Sequence, residues 1–330
     1  MKILVTGGSG FIGINLIDFL LEKGYNIINY DKSKPIKEAH MSFWTEGDIM
    51  DEKRLSETCE KNNFDAIIHL AARTDTLSNS LDDYLENHVG TQHVLNVIKN
   101  NSSIKRAIIT STQYVYKSEK KPFPSADEEF VPHTVYGQSK VLTEQYTRQA
   151  NLSCEWTIIR PTNIWGPWHM RYPNELWKLV DRGLYFHPVN HEVIRTYGYV
   201  KNVVHQIYKI LTAPAEIINH KVFYVGDPSV DSYKFLNELS YQLRNKKIKR
   251  LHKNIFKTLA KFGDIFHAVK IPFPIYTVRF KNMIEDYPAP TETTVEIFGQ
   301  AEADMRKNIT ETISWIKGEG KQHFKYWVNK

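Results

Sequence analysis

Residues 3–13 read ILVTGGSGFIG. Ile3, Leu4 and Val5 make an apolar run of strand length that ends at Thr6, and an apolar-periodic segment follows the glycines as far as Leu21. Strand, glycine turn and helix in that order can hold a phosphate. Gly7, Gly10 and Gly13 stand at G-x-x-G-x-x-G spacing, so backbone N–H groups can approach a pyrophosphate while the helix N-terminus adds a favourable field. Phe11 and Ile12 lie within the same turn. Three glycines alone are equally a plain structural turn, and the choice falls to the residues around them.

A second strand candidate, YNIINYD, ends at Asp31. A carboxylate there accepts hydrogen bonds from an adenosine ribose and repels a 2′-phosphate, which favours NAD over NADP. Lys32 works against that inference, because a neighbouring cation tolerates phosphate; a turn is the other reading of Asp31. In GDI at 47–49, Asp48 and Ile49 are placed to lie beside adenine, or else to cap a helix and pack in the core. FDAIIHLAA at 64–72 brings Leu70, Ala71 and Ala72 either over the cofactor or into the core, and KRAIITST ends at Ser111 and Thr112. With helical stretches near 84–100 and 137–150, this rhythm predicts an α/β chain with a Rossmann-type, doubly wound parallel sheet.

The composition permits that fold and excludes others. The chain has 330 residues, 42% hydrophobic and 24% charged, as in ordinary globular proteins. Its two cysteines, Cys59 and Cys154, supply neither a disulfide framework nor a metal cluster, so no metal is expected. The N-terminus enters the first strand without a secretory signal pattern, and no segment reads as a membrane span, so a cytoplasmic protein is expected. The formal charge of +6 selects no partner by itself, although Arg244, Lys246, Lys247, Lys249, Arg250, Lys253 and Lys257 form one basic run. No nucleic-acid reader motif accompanies it.

Nine motifs in order give the chain a recognisable pattern: TGGSGFIG (6–13), Asp31, GDI (47–49), HLAAR (69–73), NHVGT (87–91), STQYVY (111–116), YGQSK (136–140), RPTNIWGP (160–167) and RTYGYV (195–200). Across about the first 200 residues the chain resembles the extended short-chain dehydrogenase/reductase family, in its NAD-dependent nucleotide-sugar epimerase and dehydratase branch. In YGQSK, a Tyr and a Lys four apart share one helix face, which alone leaves a surface pair and a proton-transfer pair open. The resemblance implies that Tyr136 is the acid/base, that Lys140 favours its phenolate by nearby positive charge, and that both also line the cofactor. Thr112 matches the family's catalytic Ser or Thr, and Ser111 supports the turn or touches a ligand.

The same resemblance gives roles to further residues. Asn87 supports the cofactor pocket or caps its helix. Arg73 approaches nicotinamide or phosphate, unless it pairs with Asp75. Pro161 faces nicotinamide, and Asn163 hydrogen-bonds a substrate phosphate. Arg195 is a candidate phosphate ligand or an interdomain salt bridge. Gln113, His169 and Arg171 are candidate contacts at the substrate mouth. The substrate implied is a nucleotide-diphosphate sugar, and a homodimer through the helices near 84–100 and 137–150 is implied as well.

Departures from the family narrow the reaction. Its 4,6-dehydratases carry an acid pair directly after the catalytic Thr, where this chain has Gln113 and Tyr114; its decarboxylases carry a carboxylate in that turn. The 3,5-epimerase/reductases pair a cysteine in the turn with a histidine beyond the GP, and Gln113 stands where that cysteine would be. A C4 epimerase working through a transient 4-keto sugar remains, with a 4-keto-sugar reductase as the alternative and a non-enzymatic NAD-binding protein behind both.

Residues 1–166 are expected to form mainly the cofactor domain and 167–330 mainly a smaller α/β substrate domain, with segments around 195–227 returning to the first. The apolar run 255–280 carries Lys257, Lys261, Asp264 and Lys270, which count against a membrane span, and Pro272 and Pro274 should end or bend it. A substrate lid, a subunit contact, ordinary core and a membrane-surface segment are its four readings, with membrane association the less favoured.

Overall fold

The computed structural model describes residues 1–116, 123, 126–188, 191–268 and 275–328, with positions 267, 268 and 278 described by backbone alone. Lys270, Pro272 and Pro274 lie outside the described residues. The chain divides into two compact units: the first is Met1–Ile164, Gly198–Pro228 and Pro290–Ala301, the second Trp165–Tyr197, Ser229–Ala289 and Glu302–Lys330. The return of 290–301 to the first unit has no counterpart in the division expected from sequence.

The first unit is built on a seven-stranded sheet. Strands β1 (Lys2–Thr6), β2 (Asn26–Asp31), β3 (Trp44–Glu46), β4 (Ala66–His69), β5 (Arg106–Thr110) and β6 (Glu155–Pro161) are joined by Lys221–Val225. All pairs are parallel, in the order Lys221–Val225, β6, β5, β4, β1, β2, β3. The chain reverses direction of travel across the sheet between β1 and β4, where Thr6 pairs with His69, and such a switch point opens a crevice at the carboxyl ends of the strands.

Strand side chains alternate between two faces, so each strand feeds two cores. Ile3, Val5, Ala66, Ile68, Ile108 and Ile159 pack with α1 (Phe11–Glu22) and the helix Val200–Thr212. Leu4, Ile67, Ala107, Ile109 and Ile158 pack on the other face with Leu55 of α2 (Glu52–Asn62) and Val94 of α3 (Leu85–Asn100). The near-continuous apolar strands in the sequence are the signature of this two-sided burial. Cys59 and Cys154 are free and buried, their thiols pushed up to about 12 and about 11 by burial.

A fully buried ion pair lies inside this unit. Glu144 of α4 (Val135–Gln149) meets Arg160 of β6 through two bonds, Nε–Oε1 and Nη2–Oε2, each 2.8 Å. Both side chains are shut from solvent, and Arg160 also donates to the Tyr224 hydroxyl at 3.0 Å and the Asp127 carbonyl. This fork ties α4 to the sheet.

The second unit is mainly helical, with the helices Ser232–Arg244, Lys253–Ala268, Thr277–Ile284 and Met305–Lys317 and one short antiparallel pair, Ile194–Arg195 with Val230–Asp231. Among the described residues, no helix of the chain is long and apolar enough to cross a membrane.

Removing one member of a buried ion pair strands the other. Glu144→Ala is therefore expected to cost about 3–5 kcal/mol of unfolding free energy in urea denaturation. A loss below about 1 kcal/mol would show that Arg160 is held by its other acceptors alone.

Candidate active site

The glycine turn has no room for side chains. Gly7 has φ +74°, and a Cβ there would stand 2.5 Å from the Ala71 backbone nitrogen; a Cβ on Gly13 would stand 2.5 Å from the Gly8 Cα. The backbone of Leu70 and Ala71 thus lies directly against the turn, with the Leu70 N–H donating to the Thr6 carbonyl at 3.0 Å. Gly10 is the N-cap of α1 and brings no side chain to the helix end. Phe11 and Ile12, half-buried, pack against the core behind the turn. Ala72 is half-buried at the end of the same strip.

Asp31 ends β2 beside this turn. Its carboxylate accepts the Ser9 N–H at 3.0 Å and the Ser33 N–H at 2.8 Å; burial nonetheless raises its pKa, the two bonds acting against that shift. The cation at Lys32, the feature that would admit a 2′-phosphate, is turned onto Glu86 at 3.1 Å and Asp48 at 3.6 Å. Asp48 also accepts the Met50 N–H at 3.0 Å, and Ile49 is buried with its carbonyl bonded to the His93 ring at 3.0 Å. Ser9 had no separate role in the sequence reading, yet its hydroxyl donates to the Ser33 carbonyl and accepts from Asn29, stitching turn to β2. Its place inside TGGSG was the available signal.

A buried polar chain crosses the carboxyl ends of the strands. The Thr91 hydroxyl donates to the Asn87 carbonyl at 2.7 Å, so its oxygen can only accept from His69 Nε2 at 3.1 Å; His69 Nδ1 then accepts from Thr6 at 2.7 Å. Burial first, and then Lys140, push His69 down to about 3, so the ring stays neutral in this tautomer. Asn87 accepts the Arg73 N–H at 2.7 Å and donates to the Arg73 carbonyl and to Ser139, each at 2.9 Å; Ser139 donates to the Tyr136 carbonyl at 2.7 Å. Asn87 is a clasp between the HLAAR strip and α4. The Arg73 guanidinium points elsewhere: its Nε meets Asp75 at 2.7 Å and it lies over the Tyr84 ring, the salt-bridge alternative of the sequence reading.

Tyr136 and Lys140 stand one turn apart on α4, whose N-cap Thr134 accepts the Gly137 N–H. Thr112 follows β5 and caps the turn Gln113–Val115; its oxygen accepts the Tyr114 N–H at 3.3 Å, and its hydroxyl faces the Tyr136 phenol. The Tyr114 ring stands edge-on to Tyr136 and stacks on His133. Burial pushes Tyr136 up to about 12, with the Thr112 bond acting against it, and burial lowers Lys140 to about 7. The resemblance implied that the ammonium favours phenolate; among the protein groups, desolvation is the largest influence on both, because both side chains are enclosed, Lys140 to 1% exposure.

Four buried polar atoms here have no hydrogen-bond partner: Thr110 Oγ1, Ser111 Oγ, Gln113 Oε1 and Lys140 Nζ. Buried polar atoms in native proteins are nearly always satisfied, so this cluster fits a polar ligand. A dinucleotide fits the same unit: Gly7, Gly10 and Gly13 leave backbone for its pyrophosphate, Asp31 suits its adenosine ribose, and Lys140 suits its inner ribose. Pro161, buried at the end of β6, and half-buried Asn163 follow on the neighbouring strand.

The remaining candidates belong to the second unit. His169 Nδ1 accepts the Tyr172 N–H at 3.0 Å and its ring stacks on Tyr172; burial lowers it to about 4, so it is neutral at physiological pH. Arg171 is exposed, with Glu175 at 3.9 Å. Arg195 Nη2 donates to the backbone carbonyls of Asn282 and Glu285, not to a carboxylate.

The Lys140 site carries a test. The unfolded chain holds the Lys140 proton up to about 10.5 and the folded chain only up to about 7, so stability rises with pH across that window. Lys140→Met is expected to raise the Tm, and by more at about pH 6 than at about pH 9. Thermal unfolding at both values reads the difference; a lower Tm at both would mean that the ammonium is satisfied in the fold.

The model of the NAD dependent epimerase/dehydratase family matches residues 3–226. Among similar proteins, the N-acetyl-α-D-glucosaminyl-diphospho-ditrans,octacis-undecaprenol 4-epimerase of Escherichia coli O157:H7 is 31% identical over 264 residues, 76% of this chain and 75% of that one. The dTDP-D-glucose 4,6-dehydratase of Dictyostelium discoideum is 32% identical over 203 residues, 53% of this chain and 46% of that protein. The crystal structure of UDP-glucose 4-epimerase with UDP-glucose from Thermotoga maritima shares the fold at a TM-score of 0.74 and 21% identity, covering 97% of this chain and 99% of that one. The matched residues hold the glycine turn, Asp31 and the Thr112–Tyr136–Lys140 group together, and the chain belongs to the NAD-dependent epimerase/dehydratase family.

Proposed function

We propose that this protein is a sugar 4-epimerase acting on a diphosphate-linked hexose, a nucleotide sugar in the first instance. The observation that carries the reading is the burial of Thr112, Tyr136 and Lys140 together, with Lys140 one helical turn from Tyr136 and no carboxylate in the turn after Thr112. When bound, NAD supplies a reversible hydride acceptor.

Tyr136 takes the proton of the C4 hydroxyl as that carbon is oxidised to a ketone, and returns it once the sugar has presented its opposite face. Thr112 donates to the phenol oxygen and so favours the charged form. Lys140, kept protonated by the negative charge of a bound diphosphate, would hold a ribose hydroxyl of the dinucleotide and add positive potential that opposes the burial shift on Tyr136. Dehydration would need a proton donor and a carboxylate beside the sugar. Gln113 offers a buried amide, which transfers no proton, and the Tyr114 ring is packed between His133 and Tyr136. Asp31 supports NAD retained through the cycle, since its carboxylate meets a 2′-phosphate with like charge.

The sugar carrier stays a question of affinity for what lies beyond the diphosphate. The E. coli relative acts on a sugar joined to undecaprenol through diphosphate, so both carriers belong in the substrate panel. The homodimer through α3 and α4 is retained in this reading, and light scattering at the mass of two chains is its expected result.

The test offers purified protein UDP- and GDP-hexoses, N-acetylhexosamines and polyprenyl-diphosphate sugars, with C4 configuration read by NMR. Inversion without net cofactor consumption is expected, and Tyr136→Phe should lower kcat by about 10²–10⁴ with dinucleotide content retained. Stoichiometric consumption of reduced cofactor would replace the reading with a keto-sugar reductase. Bound dinucleotide with no turnover on any substrate would leave a binding protein.

A further inference from the structure

Among the described residues, the helix Lys253–Ala268 has two apolar faces, one buried and one exposed. Phe256, Ala260 and Gly263 are buried, with Phe256 and Ala260 packing on Phe280 and its apolar surround of Phe186, Leu251 and Met283. Ile255, Leu259, Phe262 and Phe266 follow one another at spacings of four, three and four, which is a single stripe down a helix. That stripe is exposed, as is Ile265 beside it; Phe262 is 56% and Ile265 64% accessible. Scattered surface leucines need no explanation, but five large side chains side by side on one helix do.

The charge around the stripe says what covers it. Residues 244–266 contain eight Lys or Arg and one acid, a surplus of seven positive charges, whereas the whole chain has a formal net charge of +6. The remainder of the chain is thus close to neutral, and the excess sits on this segment. Lys246, Lys247, Lys249, Lys253, Lys257 and Lys261 are all exposed. The lone acid, Asp264, is turned to the next helix, where it accepts the Thr277 N–H at 2.9 Å. A second protein surface would have to match both a greasy stripe and a strongly basic segment. An anionic bilayer supplies both at once: acyl chains for the apolar face and lipid phosphates for the lysines. At 16 residues the helix is about 24 Å long and flanked by charge, suited to lie in the interface and not to cross it.

We propose that Lys253–Ala268, with the basic residues leading into it, docks the protein onto anionic membrane surfaces, Phe262 and Ile265 entering the headgroup and acyl boundary. This rests on the segment itself and is independent of the reaction assigned to the first unit. It gives the less favoured sequence reading of this run precedence over the lid and the subunit contact.

The test is co-sedimentation of the full chain with vesicles of phosphatidylcholine containing phosphatidylglycerol, against phosphatidylcholine alone. Binding is expected only with the anionic lipid, and it should weaken as salt is raised. Phe262→Ser with Ile265→Ser should lower the partition coefficient by about tenfold or more, and Lys257→Ala or Lys261→Ala by about fivefold each. Tm and epimerase turnover on a water-soluble substrate should be unchanged in these variants. No sedimentation of the wild-type chain with anionic vesicles overturns the proposal, as does equal binding to both vesicle types. A fall in oligomeric mass in the Phe262→Ser, Ile265→Ser variant, without loss of lipid binding, would assign the stripe to a second copy of the chain instead.

Discussion

The carboxyl ends of the parallel strands are held in register with α3 and α4 by one run of buried hydrogen bonds, from Thr6 through His69 and Thr91 to Asn87, and from Asn87 through Ser139 to the Tyr136 carbonyl. It works because each hydroxyl has one proton to give. Thr91 donates to Asn87 and so must accept from His69, which fixes the imidazole tautomer, and Ser139 donates to Tyr136 and so must accept from Asn87. A neutral His69 is required throughout, and burial ensures it. A buried network of this kind is costly when incomplete and rigid when complete. Completed, it sets where Tyr136 stands relative to the end of β5, and the approach of Thr112 to the phenol depends on that placement.

Against this satisfied network, the unsatisfied atoms stand out. Ser111, Gln113 and Lys140 are as buried as Asn87 and Thr91, yet their polar atoms meet nothing. Such atoms occur elsewhere among the described residues too, as at Trp177 and Asn308, but Ser111, Gln113 and Lys140 fall in the two segments that also carry Thr112 and Tyr136. Function and stability pull apart here: an ammonium enclosed by protein opposes folding at neutral pH, and a ligand bearing hydroxyls and phosphate charge relieves it. The Glu144–Arg160 fork, one turn further along α4 from Lys140, shows the other solution, a buried charge made tolerable by a partner.

Reading the glycine turn was straightforward because its constraints are local. Gly7 needs a positive φ, and strand-to-helix order follows from apolar periodicity within a dozen residues. Asp31 and the YGQSK spacing were legible for the same reason. Arg73 and Arg195 were harder: an arginine's partner is chosen by whatever carbonyl or carboxylate the fold brings near, and here that is Asp75 in one case and the carbonyls of Asn282 and Glu285 in the other. Ser9, Asn29 and Ser139 escaped separate notice because a small polar residue carries no periodicity and acquires a role only from contacts distant in sequence.

The sequence by itself determined the doubly wound sheet, the glycine turn, and the identity of the groups after β5, since residue order and hydrophobic period act over short stretches of chain. Tertiary structure decided their electrical state. Whether Lys140 raises or lowers a neighbour's proton affinity depends on enclosure, and enclosure by elements far apart in the chain pushed Tyr136 up and Lys140 down. It also decided which apolar face of Lys253–Ala268 is covered, because a helical period marks both faces alike and only packing against Phe280 and its neighbours distinguishes them.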